Sequence, residues 1–231
     1  MPPHGLAIVI GSNGGIGAAV VQTLRDSGQF NEVMALSRGS VPALDLTLES
    51  SLAHWAQQAQ STQLPLRLVV DATGFLHGNG MQPEKSWQHI DPVHMAHAFA
   101  INAIGPALVM KHFLPLLARD GKAVFATLSA KVGSIGDNQL GGWYSYRASK
   151  AALNQLVHTA AIELKRKHPH AVCVALHPGT VHTGLTDPFA KTGLHVVTPK
   201  QAALRLLGVI DSLNASRSGG FIDHDGQALP W

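Results

Sequence analysis

Leu6-Ala7-Ile8-Val9-Ile10-Gly11-Ser12-Asn13-Gly14-Gly15-Ile16-Gly17 decides the fold. Five apolar residues without a polar break fit a strand buried on both faces, as in a parallel sheet. From Gly15 to Ser27 the period changes: Ala18, Val21 and Leu24 recur at helical spacing, and Gly28 is a C-terminal stop. Between the two lies a glycine-rich turn. Glycines there let the backbone bend sharply and come close to a pyrophosphate, which the free N–H groups and positive end of the following helix then hold. Gly11, Ser12, Asn13, Gly15, Ile16 and Gly17 are therefore candidate dinucleotide contacts, against the plainer alternative of an ordinary βα turn.

The same alternation runs along the whole chain. Strands are predicted at Val33–Leu36, Ala43–Leu46, Leu64–Val70, Gly121–Ser129, Ala171–Leu176 and Gly220–Asp223, making seven with the first. Helices are predicted at Glu49–Gln60, Pro92–Leu117, Tyr144–Lys167 and Pro199–Leu213. In the second of these, Pro106 and Pro115 should kink or end the helix early. Strands alternating with helices give a doubly wound parallel sheet covered on both faces, here one domain over residues 1–231.

Composition narrows the function. Hydrophobic residues make up 45% of the chain and charged residues only 13%, against roughly 25% in an average domain. That excludes wholesale disorder and points to surface shared with a partner subunit. The net charge of +3 and pI of 9.2 come without a basic cluster, so nucleic acid is not expected. Cys173 is the single cysteine, which excludes an intrachain disulfide and fits a reducing, cytoplasmic setting. Met1-Pro2-Pro3-His4 lacks the basic region of a signal peptide. No apolar run approaches the roughly 20 residues of a membrane span, so no membrane partner is expected. The 14 histidines are scattered, with no pair at convincing ligand spacing, so no catalytic metal is expected.

Two further features carry chemistry. The second strand ends in Ser37-Arg38, where an acidic residue would accept from the ribose hydroxyls of NAD. A hydroxyl and a guanidinium suit a 2′-phosphate instead, so NADP(H) is expected over NAD(H); the alternative is that Arg38 is a solvated loop cation. Tyr146 and Lys150 stand four apart at the start of a helix and share a face. A phenol with a pKa near 10 is a poor acid or base at neutral pH, and a neighbouring ammonium is expected to lower it.

Gly11-x-x-x-Gly15-x-Gly17 and Tyr146-x-x-x-Lys150, in that order, resemble the short-chain dehydrogenase/reductase superfamily. Val132-Gly133-Ser134-Ile135-Gly136-Asp137-Asn138, the run Gly141 to Lys150 and the ending Asp225 to Trp231 are similar to its C-factor and sniffer-like carbonyl reductase subgroup. The resemblance implies a Rossmann-type fold, a homodimer or homotetramer, and hydride transfer between nicotinamide and a small carbonyl or alcohol substrate. Tyr146 would be the general acid/base, Lys150 would lower its pKa and bind the nicotinamide ribose, and Asn102 would hold a relay water; all three would also lie against the cofactor. Aligning on Gly133 puts Ala130 where the family has its catalytic serine, leaving Ser129, the preferred one, and Ser134 as candidates. Asp45 and Leu46 would meet the adenine. Asp71-Ala72-Thr73-Gly74 lies where the family has Asn-Asn-Ala-Gly, so Ala72, Thr73 and Gly74 would meet the cofactor, and Ile10 replaces the family's usual threonine. Pro178, Gly179, Val181 and Thr183 would meet the nicotinamide amide or the pyrophosphate. Phe75, Leu76, residues 141–144 and a short loop over 184–198 would wall the substrate. The subgroup also contains signalling proteins, so the alternative is a dinucleotide-binding signalling protein with little or no turnover.

Overall fold

In a computed structural model, which describes residues 4–189 and 196–231, the first apolar run forms β1 (Leu6–Ile10), buried along its whole length. Its side chains alternate between two cores, as a strand covered on both faces requires. Leu6, Ile8 and Ile10 join one core, and Ala7 and Val9 the other. The chain then runs through α1 (Gly15–Ser27), β2 (Glu32–Leu36), α2 (Glu49–Ser61), β3 (Leu66–Asp71), α3 (Pro92–Phe99) and α4 (Gly105–Phe113). It continues through β4 (Ala123–Leu128), α5 (Tyr144–Lys167), β5 (Ala171–His177), β6 (Thr180–Val181), β7 (Val196–Val197), α6 (Pro199–Ser212) and β8 (Phe221–Asp223).

The main sheet has six strands in the order β2-β1-β3-β4-β5-β8, every pairing parallel. Leu52 and Ala56 of α2, Val109 and Phe113 of α4, and Leu153 and Val157 of α5 pack on one face. Val20, Val21 and Leu24 of α1, with Leu206, Val209 and Ile210 of α6, pack on the other.

The expected seventh strand, Ala43–Leu46, does not form. Asp45 accepts hydrogen bonds from the Thr47 amide (2.8 Å) and hydroxyl (2.7 Å), and Leu44 N–H returns to the Ser37 carbonyl. Those local bonds close a turn in place of a ladder. β6 and β7 instead pair with each other outside the main sheet.

Pro106 does not end the long helix, whereas at Pro115 the early end appears: α4 stops at Phe113 and Leu114–Leu116 form a 3₁₀ turn. A π-turn at Ala100–Ile104 joins α3 to α4, and Pro106 sits in the first turn of α4, where its missing N–H is accommodated. The stretch Pro92–Leu116 is consequently long and apolar enough, by length and composition, to cross a membrane, contrary to the expectation. Its apolar residues are interspersed with polar ones, so no single run stands out, but they sum to that length. In this fold Ala98, Ala103, Val109, Met110 and Phe113 of it are buried.

Candidate functional site

The glycine turn has little room for side chains. Gly11 adopts φ +82, and a Cβ there would lie 3.0 Å from the Ala72 backbone. A Cβ on Gly17 would overlap the Gly11 carbonyl, and one on Gly15 would lie 2.7 Å from Thr183 Cγ2. These contacts bring together the glycine turn, Ala72 after β3, and Thr183 after β6. Gly14, the residue capping α1, offers no side chain to the first N–H groups of that helix. A flat-walled cradle with unclaimed N–H donors suits a pyrophosphate.

Beside it, the Asn13 amide approaches Gly39, and Ser37 Oγ accepts from Gly39 N–H (3.1 Å). Arg38 is exposed on the same turn. Asp45 is exposed, and the bonds it accepts from the Thr47 hydroxyl and amide lower its pKa, while Leu46 is buried next to Gly105. Gly179 (φ +77) follows Pro178 and makes the turn from β5 into β6, where Val181 is buried and pairs with Val197. Of the expected substrate wall, residues 190–195 lie outside the described residues.

The second group gathers at the C-terminal ends of β3 and β4. Asn102, fully buried in the π-turn, clamps the loop after β3. Its Oδ1 accepts from Phe75 N–H (2.7 Å), and its Nδ2 donates to the Phe75 carbonyl (2.8 Å) and to Ser149 Oγ (3.0 Å). A Cβ on Gly74 would stand 3.7 Å from both Asn102 Oδ1 and Lys150 Nζ, so these three meet. Lys150 Nζ donates to the Leu128 carbonyl (2.7 Å) and lies 6.0 Å from the Tyr146 ring centre. Gly133 packs directly on the Lys150 backbone and Cβ.

The electrostatics differ from the expectation for the tyrosine. Burial pushes the Tyr146 hydroxyl up to about 12, and it pushes the Lys150 ammonium down to about 8. Desolvation outweighs the attraction the lysine was expected to exert. Beneath them Asp71, which closes β3, is wholly buried. Burial raises its pKa, although Thr73 (N–H 3.1 Å, Oγ1 2.6 Å) and Thr127 Oγ1 (2.8 Å) all donate to it. Its charge partly sustains that of Lys150. Sequence reasoning placed Asp71 in the segment matched to the family's Asn-Asn-Ala-Gly but gave it no role, and it did not single out Thr127. The available signal was an acidic residue ending an otherwise apolar strand.

The two candidate serines face other partners. Ser129 Oγ donates to Asn154 Oδ1 (2.6 Å) in the core, and Ser134 Oγ accepts from Asp137 N–H (3.1 Å). Trp143 stands against both Tyr146 (ring centres 6.2 Å apart) and Phe189 (5.3 Å). His77 spans the same mouth, 5.3 Å from the Phe189 ring and 3.1 Å from the Gly184 carbonyl.

A family model described as enoyl-(acyl carrier protein) reductase matches residues 11–213. The chain is 31% identical over 234 residues to the 1-hydroxy-2-glutathionyl-2-methyl-3-butene dehydrogenase of Rhodococcus sp. (strain AD45), covering 97% of this chain and 98% of that protein. It is 38% identical over 143 residues to the C-signal protein of Myxococcus xanthus, covering 62% and 81%. The NADPH-bound carbonyl reductase from chicken fatty liver superposes with a TM-score of 0.85 at 25% identity, over 100% of this chain and 96% of that one.

Proposed function

Since this chain belongs to the short-chain dehydrogenase/reductase superfamily and is an oxidoreductase, we propose that it transfers hydride between NADP(H) and a small carbonyl or alcohol substrate, with Tyr146 as the proton donor and acceptor. The observation that carries this reading is the convergence of Gly74, Asn102, Lys150 and Tyr146 beside the glycine cradle. The nicotinamide, when bound, supplies or accepts the hydride. The chain's own residues govern binding and the proton.

Gly11, Gly15 and Gly17, with the first N–H groups of α1, would hold the pyrophosphate. Ser37 and Arg38 would take the 2′-phosphate, and the exposed guanidinium supports NADP(H) over NAD(H). With its pKa near 12, Tyr146 Oη carries its proton at neutral pH and is ready to donate it to a developing alkoxide. Lys150, near 8, is mostly ammonium at pH 7 and is the proton source that restores the phenol. Asn102 fixes the Phe75 backbone and stands beside Gly74 and Lys150, which supports a water-holding role there. The same reading makes the protein a cytoplasmic homo-oligomer. The buried free thiol of Cys173 supports the first, and exposed Ile104 and Ile162 on the long helices support the second.

The test is NADPH and NADH oxidation measured side by side with a panel of aldehydes, ketones and diones. NADPH is expected to be preferred at least about tenfold, and Arg38→Asp to abolish that preference. Equal use of both cofactors by the unaltered protein would refute the role of Arg38. A second reading, a dinucleotide-binding signalling protein, draws support from the hydroxyls of Ser129 and Ser134 being engaged by Asn154 and Asp137. It predicts tight NADPH binding with no turnover across the panel.

A further inference from the structure

α5 carries Tyr146 and Lys150, yet its N-terminus has no cap of its own. Trp143, at the capping position, gives no side-chain bond and adopts a left-handed backbone (φ 54, ψ 44), after Gly141 and Gly142 in the same region (φ 64 and 65). Glycines adopt that region freely, but Trp143 holds it only where the surroundings fix it. Helix starts leave N–H groups that need acceptors. Here the acceptor comes from the loop after β3. Both Glu84 carboxylate oxygens accept from Ser145 N–H (3.3 and 3.2 Å), and Oε1 also accepts from the Ser145 hydroxyl. The Glu84 carbonyl accepts from Trp143 N–H (2.5 Å). Arg147 completes the clasp, donating to the Gly141, Gly142 and Val132 carbonyls.

Glu84 is 2% exposed, and the nearest cation-forming group to its carboxylate is His94 Nδ1, on α3, at 3.7 Å. His94 meets the Phe75 ring edge-on, and Phe75 is the residue whose backbone Asn102 clamps. A buried carboxylate is costly unless its environment compensates it. At this position the helix dipole and the Ser145 donors do so. Glu84 thus ties together the two arms of the candidate site, α3–α4 with Asn102 and α5 with Tyr146.

We propose that Glu84 is a positioning residue for the reaction: its carboxylate caps α5 from outside the helix and fixes the turn that presents Trp143 and Tyr146 to the substrate. This rests on the hydride-transfer reading above. A small misplacement of a reacting group lowers kcat steeply without touching a remote binding site. The glycine cradle and Ser37-Arg38, which would hold the pyrophosphate and the 2′-phosphate, lie apart from this clasp, so its loss should lower dinucleotide affinity far less than kcat.

The experiment compares Glu84→Ala, Glu84→Gln and Ser145→Ala with the unaltered protein. Carbonyl reduction, NADPH affinity by fluorescence titration, and amide exchange over residues 143–150 are measured in each. Glu84→Ala is expected to lower kcat at least about tenfold with the NADPH Kd unchanged within about twofold. Glu84→Gln, which keeps an oxygen acceptor for Ser145 N–H, should recover most of the loss, and Ser145→Ala should show a smaller fall. Exchange over 143–150 should quicken in the same order. If Glu84→Ala does not fold, Glu84→Gln and Ser145→Ala decide: wild-type kcat and exchange in both would overturn the proposal. So would a kcat loss in Glu84→Ala matched by an equal loss of NADPH affinity, the mark of general disorder. Should the unaltered protein bind NADPH without turnover, the functional reading fails. The exchange measurement then still decides the cap, and unchanged exchange in both Glu84→Ala and Ser145→Ala overturns it.

Discussion

Lys150 is 2% exposed and donates to one carbonyl, and desolvation brings its pKa from 10.5 to about 8 against the opposing pull of Asp71. The folded chain therefore releases this proton near pH 8, while the unfolded chain keeps it until about 10.5. Between those values the unfolded state binds more protons, so stability rises with pH. At about 1.4 kcal/mol per unit, the full shift amounts to about 3 kcal/mol of stability that is missing below pH 8 and regained by 10.5. From pH 7 to 9 the gain is about 1.4 kcal/mol. Cys173 and Tyr146, both pushed up to about 12 by burial, act with the opposite sign. Their stabilising contributions begin to be lost above about pH 9 and 10, where the unfolded groups ionise. Subtracting the curve of a Lys150→Met variant cancels them. The assay is urea unfolding of both proteins without cofactor from pH 7 to 9. The unaltered protein should gain about 1.4 kcal/mol relative to Lys150→Met. Parallel curves would refute the assignment of a desolvated, depressed lysine.

Gly17→Ala forces a Cβ into the Gly11 carbonyl. Overpacking of that kind costs about 1–3 kcal/mol, so NADPH affinity should fall about tenfold or more by fluorescence titration. Gly208→Ala, where a Cβ meets open space, should leave it unchanged. Ser129→Ala leaves Asn154 Oδ1 without its donor in the core, where Asn154 Nδ2 already has no partner. The loss should appear as about 1–3 kcal/mol in urea unfolding, with kcat per folded molecule little changed.

What could be read from the sequence follows from how local each cause is. β1, the glycine turn and α1 were legible because strand period, helix period and turn chemistry all agree within about 20 adjacent residues. Ala43–Leu46 was misread because its composition suits a strand, whereas the Asp45–Thr47 bonds close a turn. Pro106 was visible as an interruption, but that a π-turn would absorb it, with Asn102 inside, depends on packing against α5 and the Phe75 loop. The direction of the Tyr146 shift turned on burial, which the Tyr-x-x-x-Lys spacing does not encode. Glu84 was invisible for a simpler reason: its partner Ser145 is 61 residues away, and Glu84 itself belongs to no recognisable pattern.

The central claim is that Tyr146 Oη moves the proton in a hydride transfer. It is tested most directly by comparing Tyr146→Phe with the unaltered protein in NADPH-dependent carbonyl reduction, alongside NADPH binding. The account predicts that the variant binds NADPH as before while kcat falls at least about a hundredfold, the scale of a lost general acid. A Tyr146→Phe protein that reduces the same carbonyl at the full rate would contradict it.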